Sequence, residues 1–335
     1  MYNIDIMKKI ALTGIKPTGN LTLGNYIGVL RNLKNIQDEF DSYFFVADLH
    51  ALTLPQTLHD NTRDIVAFYL ASGLDTDKCH IFLQSMVSEH AELNSIMMNY
   101  LYMGELSRMT QFKDQSRKMN KDAIGLGLFS YPVLMACDII LYNADSVPVG
   151  EDQVQHVELC RTLVRRFNER FKTNILKEPN AVIEKNGKRI MSLSDPTRKM
   201  SKSDPKGDIY LKDDEKTIRK KIMSATTDSG NDIKFDKENK PGISNLLMIY
   251  SSLNDISISQ AEDHFKDVHQ YGVFKKEVAD SVVKELMPLQ ERYRKILESN
   301  EIDEALNKGA FEAKAIASKT LLKVRETIGL YETKK

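Results

Sequence analysis

Tryptophan is missing from this chain of 335 residues, so it has no indole of its own to pack or to emit light. Cysteine is nearly missing: Cys79, Cys137 and Cys160 form an odd set without paired spacing. That argues against a disulfide framework and a structural zinc, and for a reducing cytosol. Net charge is absent too, with Lys plus Arg and Asp plus Glu at 47 each. Bulk charge therefore gives no pull toward nucleic acid, and any such contact must come from local patches. Long apolar runs are lacking. The longest, Leu126 to Tyr142, is broken by Gly127, Ser130, Pro132 and Asp138 and falls short of a membrane span. Met1 to Lys9 carries no apolar core followed by small residues, so no signal peptide is expected. Hydrophobic residues at 41% and charged residues at 28% are ordinary for a soluble globular protein, and the length suits two domains.

What the chain does have begins at residue 10. Ile10, Ala11 and Leu12 read as a buried parallel strand, which Gly14, Pro17, Thr18 and Gly19 break into a turn. Leu23, Ile27, Leu30, Leu33 and Ile36 then recur at helical spacing, with Gly24, Asn25 and Gly28 off that stripe. A turn of this kind aims a helix N-terminus at its ligand, and free N–H groups there suit a phosphate. An α/β domain with no nucleotide opens in the same way. Tyr43 to Ala47 and Ile81 to Gln84 read as further buried strands, with a helix over Asn61 to Ser72 between them. This βαβαβ order predicts a Rossmann-like, doubly wound parallel sheet with ligands at the carboxyl ends of its strands. Asp48 and His50 fall just past the second strand, where His50 is either a substrate contact or a structural hydrogen-bonding residue.

Four later stretches carry chemistry. His90 to Tyr102 and the segment from Gly104 read as helical, and Lys113 to Lys121 as a basic, polar interruption. Within Tyr131 to Asp138, Met135 and Asp138 are three apart and share a helix face. An acid in so apolar a run needs a donor, either a neighbouring backbone N–H or Arg, or a donor on a ligand. Gly150-Glu151-Asp152-Gln153 opens a helix through His156, Leu159, Leu163 and Phe167, and acids there also fit plain capping. Ile190 to Leu193 reads as the last strand of the sheet, delivering a polar loop from Ser194 to Pro205 that holds Lys199-Met200-Ser201-Lys202-Ser203. Such a loop either swings two cations onto a triphosphate or is a solvated lysine surface. From about Lys206 the pattern turns all-helical: Asp213 to Met223, Gly242 to Leu253, Ser259 to Val268, Phe274 to Ser299 with a kink at Pro288, and Glu301 to Ile328. This reads as a helical bundle with no part in the sheet, although it is placed to brace the lysine loop.

Thr22-Leu23-Gly24-Asn25 followed much later by Lys199-Met200-Ser201-Lys202-Ser203 resembles the two signature motifs of class I aminoacyl-tRNA synthetases, with Thr22 and Asn25 where many members carry histidines. Within that class the chain resembles the bacterial-type tryptophanyl-tRNA synthetases from about Lys8 to Leu330. Gly104 to Phe112, Tyr131 to Asp138 and Val147 to Gln153 carry the likeness further. The resemblance implies a catalytic domain at 8–205 with a helical insertion at about 104–189, and a helical anticodon-binding region at 206–335. It implies activation of L-tryptophan by ATP with Mg²⁺, followed by transfer to tRNA(Trp), in a cytoplasmic homodimer; Mg²⁺ is expected to arrive with ATP, since no carboxylate cluster in the sequence has the spacing of a dedicated cage. By resemblance Thr22, Asn25, Lys199 and Lys202 act in catalysis. ATP falls to Lys16, Pro17, Thr18, Gly24, Asn25, Gly150, Glu151, Asp152, Ile190 and Lys199 to Ser203, including Met200 and Ser201. Tryptophan falls to Asp138, Met135, Tyr131 and His50. Lys16 departs from the glutamine that many members carry. The alternatives are a tyrosyl-tRNA synthetase, a nucleotidyltransferase that never meets RNA, and a catalytically silent paralogue.

Overall fold

The computed structural model describes residues 8–53, 58–117, 119–120, 124–150, 153–182, 189–201 and 204–331. Strand β1 (Ile10–Ile15) leads through the turn into α1 (Leu23–Asn25), a π-helical turn over Tyr26–Leu30 and α2 (Arg31–Glu39). β2 (Asp41–Val46), α3 (Asp48–Ala51), α4 (Leu58–Ala71) and β3 (Cys79–Leu83) complete the expected βαβαβ unit. Helices α5 (Glu89–Met97), α6 (Met103–Leu106), α7 (Thr110–Ser116) and α8 (Leu126–Leu141) follow. Lys113 to Ser116, expected within a polar interruption, is therefore the last turn of α7. The chain then re-enters the sheet with β4 (Ser146–Pro148), covers it with α9 (Val154–Phe171), and adds β5 (Asn180–Val182).

All pairings are parallel and the order is β3-β2-β1-β4-β5. The strand order reverses at β1, because the chain steps outward to β2 and β3 and then returns to β1's other side with β4. The crevice beyond the carboxyl ends of β1 and β4 is thus the switch point where doubly wound sheets bind ligands.

One strand assignment needs correcting. Ile190 to Leu193 lies outside the sheet, whose fifth strand is β5. The Ser192 amide donates to the Arg198 carbonyl at 2.8 Å and the Met200 amide to the Ile190 carbonyl at 2.9 Å, so the segment folds back on the lysine loop as an antiparallel hairpin. β4 and β5 were missed because three residues each give no readable alternation.

The remaining helices are α10 (Glu215–Met223), α11 (Pro241–Leu253), α12 (Ile258–His264), α13 (Tyr271–Leu297) and α14 (Glu301–Ile328). α13 runs through Pro288 without ending. Contrary to expectation, these helices do not stand clear of the sheet. α14 lies on β3 so closely that a Cβ at Gly309 would meet the Ile81 carbonyl oxygen at 2.0 Å. α13 packs on α4, where Phe68 stacks on Tyr293 at 4.2 Å and Arg292 donates to the Ala71 carbonyl at 2.7 Å. One apolar core accordingly joins Leu23, Leu30 and Phe44 to Ile243, Phe274 and Leu286. Among the described residues, no helix is long and apolar enough to cross a membrane.

Candidate active site

The first signature stretch starts as a capping problem. Thr22 is the N-cap of α1: its hydroxyl oxygen accepts the Asn25 amide at 3.3 Å, while Asn25 Oδ1 accepts the Thr22 amide at 3.0 Å. This reciprocal pair satisfies two of the orphan donors of the helix start. Thr22 is buried, and Asn25 is half-buried beside it.

The second stretch is brought directly against the first. A Cβ built on Gly24 would lie 3.5 Å from the Met200 Cβ and 3.7 Å from the Ile190 Cβ. Ile209 to Leu211, just after the lysine loop, pair antiparallel with Leu21 to Leu23: the Leu23 amide donates to the Ile209 carbonyl at 2.8 Å, and the Leu211 amide to the Leu21 carbonyl at 2.9 Å. From α11, Asn245 clamps the hairpin, accepting the Met191 amide at 2.8 Å and donating to the Met191 carbonyl at 2.9 Å. The helical region therefore does brace the lysine loop. Lys199 is exposed and Ser201 half-buried, and Ile190 and Met200 are buried. Lys202, Ser203, Glu151 and Asp152 lie outside the described residues. Gly150 is exposed at the carboxyl end of β4, where its carbonyl accepts the Gln153 amide at 2.9 Å. Pro17 is buried and Thr18 half-buried in the turn after β1.

A second cluster is built around Asp138 of α8, with His50 and Gln84 reaching it from just past the carboxyl ends of β2 and β3. The Asp138 carboxylate is almost fully buried and accepts from His50 Nε2 at 2.9 Å on Oδ2. Its Oδ1 accepts from Gln84 Nε2 at 2.7 Å and from His90 Nδ1 at 2.7 Å. Burial alone would raise this carboxyl, but the bonds from the two imidazoles outweigh it and hold it at about 2. His90 Nε2 and the Tyr142 hydroxyl share a further bond of 2.9 Å. A carboxylate oxygen has two lone pairs, so Oδ1 is filled and Oδ2 keeps one acceptor position. His50 Nδ1 and Gln84 Oε1 are buried with no protein partner among the described residues. The donors to Asp138 thus differ from those expected, being imidazoles and an amide rather than a backbone N–H or Arg.

Tyr131 and Lys16 close the cluster. Tyr131 meets the His50 ring edge-on at 6.2 Å, donates to Gln111 Oε1 at 3.0 Å, and shares a 2.8 Å bond with His156 Nε2. The Lys16 ammonium lies over the Tyr131 ring at 5.2 Å. Lys16 keeps solvent access but sits down in a hollow, and that crowding lowers its pKa below the usual lysine range. Met135 is half-buried one turn before Asp138. Sequence reasoning missed Gln84, His90, Gln111, His156 and Asn245. The available signals were faint: Gln84 ends an expected strand, and His90 opens an expected helix between Glu89 and Ala91.

A sequence model of the family described as tRNA synthetases class I (W and Y) matches residues 7–287. The chain belongs to this family. It is 49% identical over 329 residues to the tryptophan–tRNA ligase of Halalkalibacterium halodurans, covering 97% of this chain and 98% of that one. The crystal structure of tryptophanyl-tRNA synthetase from Mycoplasma pneumoniae matches at a TM-score of 0.89 and 40% identity, over 97% of this chain and 99% of that chain. That of the Campylobacter jejuni enzyme complexed with ADP and tryptophan matches at 0.81 and 33%, over 96% and 100%. Both structures share with this synthetase the parallel sheet and the helical C-terminal region.

Proposed function

We infer that the chain is a tryptophan–tRNA ligase, which joins tryptophan to ATP as tryptophanyl-adenylate and then esterifies tRNA(Trp). The observation that carries this reading is the contact of Gly24 with Met200 and Ile190, which joins two signature stretches far apart in sequence beside the switch point. Activation is in-line attack by the tryptophan carboxylate on the α-phosphate. The carboxylate is already ionised, so no general base is required, and the protein's work is positioning and charge stabilisation.

In this reading ATP lies on the start of α1 against Gly24, Asn25, Pro17, Thr18 and Ile190, with Gly150, Glu151 and Asp152 at its ribose and phosphates. Lys199 and Lys202 neutralise the departing pyrophosphate. Tryptophan lies on Tyr131, Met135 and His50, with its indole N–H on the remaining lone pair of Asp138 Oδ2. The unpartnered His50 Nδ1 and Gln84 Oε1 suit a donor-rich ligand. Lys16, over Tyr131, falls at the seam where the carboxylate meets the α-phosphate. Mg²⁺ enters as part of the ATP substrate, bound to its phosphates.

Residues 206–335 take the anticodon arm, 8–205 form the catalytic unit, and two copies associate in the cytoplasm. Exposed Met98, Tyr102 and Met103, just ahead of the insertion, and Leu126 within it suit a dimer face. Incubation with ATP, Mg²⁺ and bacterial tRNA tests the reading: radiolabelled tryptophan should become acid-precipitable on tRNA, and labelled tyrosine should not. Preferential attachment of tyrosine would overturn it.

A further inference from the structure

Lys202 and Ser203 fall in sequence between Ser201 and Asp204, and one buried side chain meets both of these flanking residues. Asp208 Oδ1 accepts the Ser201 amide at 3.2 Å, and Oδ2 accepts the Asp204 amide at 3.0 Å and the Ser201 hydroxyl at 3.4 Å. The residue is fully buried, and burial pushes its carboxyl above the usual aspartate range despite these donors. A buried acid with no better reason to be there is costly, so its geometry calls for a role.

Asp208 is itself held from two sides. Lys221 Nζ donates to its carbonyl at 2.8 Å, and the next residue's carbonyl, of Ile209, accepts the Leu23 amide at 2.8 Å. The carboxylate that holds Ser201 and Asp204 is thereby fixed to the first helix of the site. Asp204 plays a different part, closing the base of the loop by accepting from the Ser194 hydroxyl at 2.7 Å and the Ser192 hydroxyl at 3.1 Å.

We propose that Asp208 is a positioning residue for tryptophan activation, holding Ser201 and Asp204 relative to the first signature helix so that Lys202, which lies between them in sequence, meets the departing pyrophosphate. This rests on the activation chemistry inferred above. It adds a residue that neither signature motif contains. The carboxylate touches no substrate and acts through the backbone on either side of Lys202. An amide in its place can accept from only one flank, because its nitrogen carries hydrogens of its own.

The test is a double-mutant cycle in the full-length chain, read by tryptophan-dependent exchange of pyrophosphate into ATP, with tryptophan affinity followed by ligand fluorescence. Asp208→Asn should lower kcat about 10- to 100-fold, the scale of an ångström-level misplacement. Tryptophan Kd should stay within about twofold. In a Lys202→Ala background the same change should alter kcat by less than about twofold, since the group it positions is gone. Equal losses in the two backgrounds, or an unchanged kcat, overturn the proposal. Should Asp208→Asn fail to bind tryptophan, Asp208→Glu is judged by the same cycle: a reduced kcat that vanishes in the Lys202→Ala background supports positioning, and full or additive activity overturns it. Absence of tryptophan-dependent exchange in the unaltered protein would instead refute the activation chemistry.

Discussion

Replacing Asp138 tests the pocket, and the choice of replacement decides what is learned. Alanine removes the acceptor of His50, Gln84 and His90 together. Each buried donor left unpaired costs about 1 to 3 kcal/mol, against a total stability of about 5 to 15 kcal/mol. The Ala variant is therefore expected to lose most of its stability, and a loss of activity in it says nothing about the ligand. Asparagine keeps the shape. With its oxygen in the Oδ1 position it still accepts from Gln84 and His90, while its amide nitrogen replaces Oδ2 and donates to His50 Nε2 once that imidazole carries its proton on Nδ1. What changes is the one remaining acceptor, which becomes a donor facing the indole N–H. Loss of that bond is worth about 1 to 3 kcal/mol, so tryptophan kcat/KM should fall roughly 5- to 150-fold, with ATP KM nearly unchanged. Discrimination against phenylalanine should shrink as well, because phenylalanine offers no donor there. Exchange kinetics, thermal unfolding and titration of ligand fluorescence together read out the effect, since the protein has no tryptophan to obscure it. An Asp138→Asn protein that folds and keeps full tryptophan kcat/KM would refute the assignment. The same carboxylate predicts an acid limit. Its pKa falls from 3.8 to about 2 on folding, so its contribution is present above about pH 4 and is lost as pH falls toward 2.

Three other outcomes follow from the packing and the loop. His80 donates toward Asp41 at 3.0 Å and Glu312 at 2.7 Å, and although burial opposes its charge, these bonds raise its pKa above 6.5. Its stabilisation is full below pH 6.5 and is lost as pH rises through the folded value, so the Tm advantage of the native protein over His80→Gln should shrink above neutrality. Lys202→Ala should lower kcat for activation about 10²- to 10³-fold with little change in tryptophan Kd, and equal losses in both would show a ground-state role. Truncation after Lys206 strips β3 of α14 and α4 of α13, so the product should be insoluble or molten by near-UV circular dichroism; a soluble, cooperative fragment that forms adenylate would contradict the shared core.

The sequence spoke clearly where a pattern was long and periodic. β1 to β3, α4 and α14 carry continuous apolar runs or stripes, and α14 spans Glu301–Ile328 as its spacing predicts. It was silent where three residues make a strand, and misleading at Ile190 to Leu193, whose apolar character serves a hairpin packed beside Gly24 rather than the sheet. The signature residues were legible because their spacing is local. The partners of Asp138 come from α3, the end of β3 and α5, and a hydrogen bond over 48 to 88 residues of chain leaves no local trace. The contact of α14 with β3 was hidden for a similar reason: a helical stripe shows that a face is buried but not what covers it.

The central claim is that the two signature stretches and the Asp138 pocket form one tryptophan-activating site. Amino-acid-dependent exchange of labelled pyrophosphate into ATP, run with each of the twenty amino acids, tests it most directly. Tryptophan alone should drive exchange well above background, with tyrosine and phenylalanine lower by about 10⁴ or more. Exchange driven best by tyrosine, or by no amino acid at all, would contradict the account.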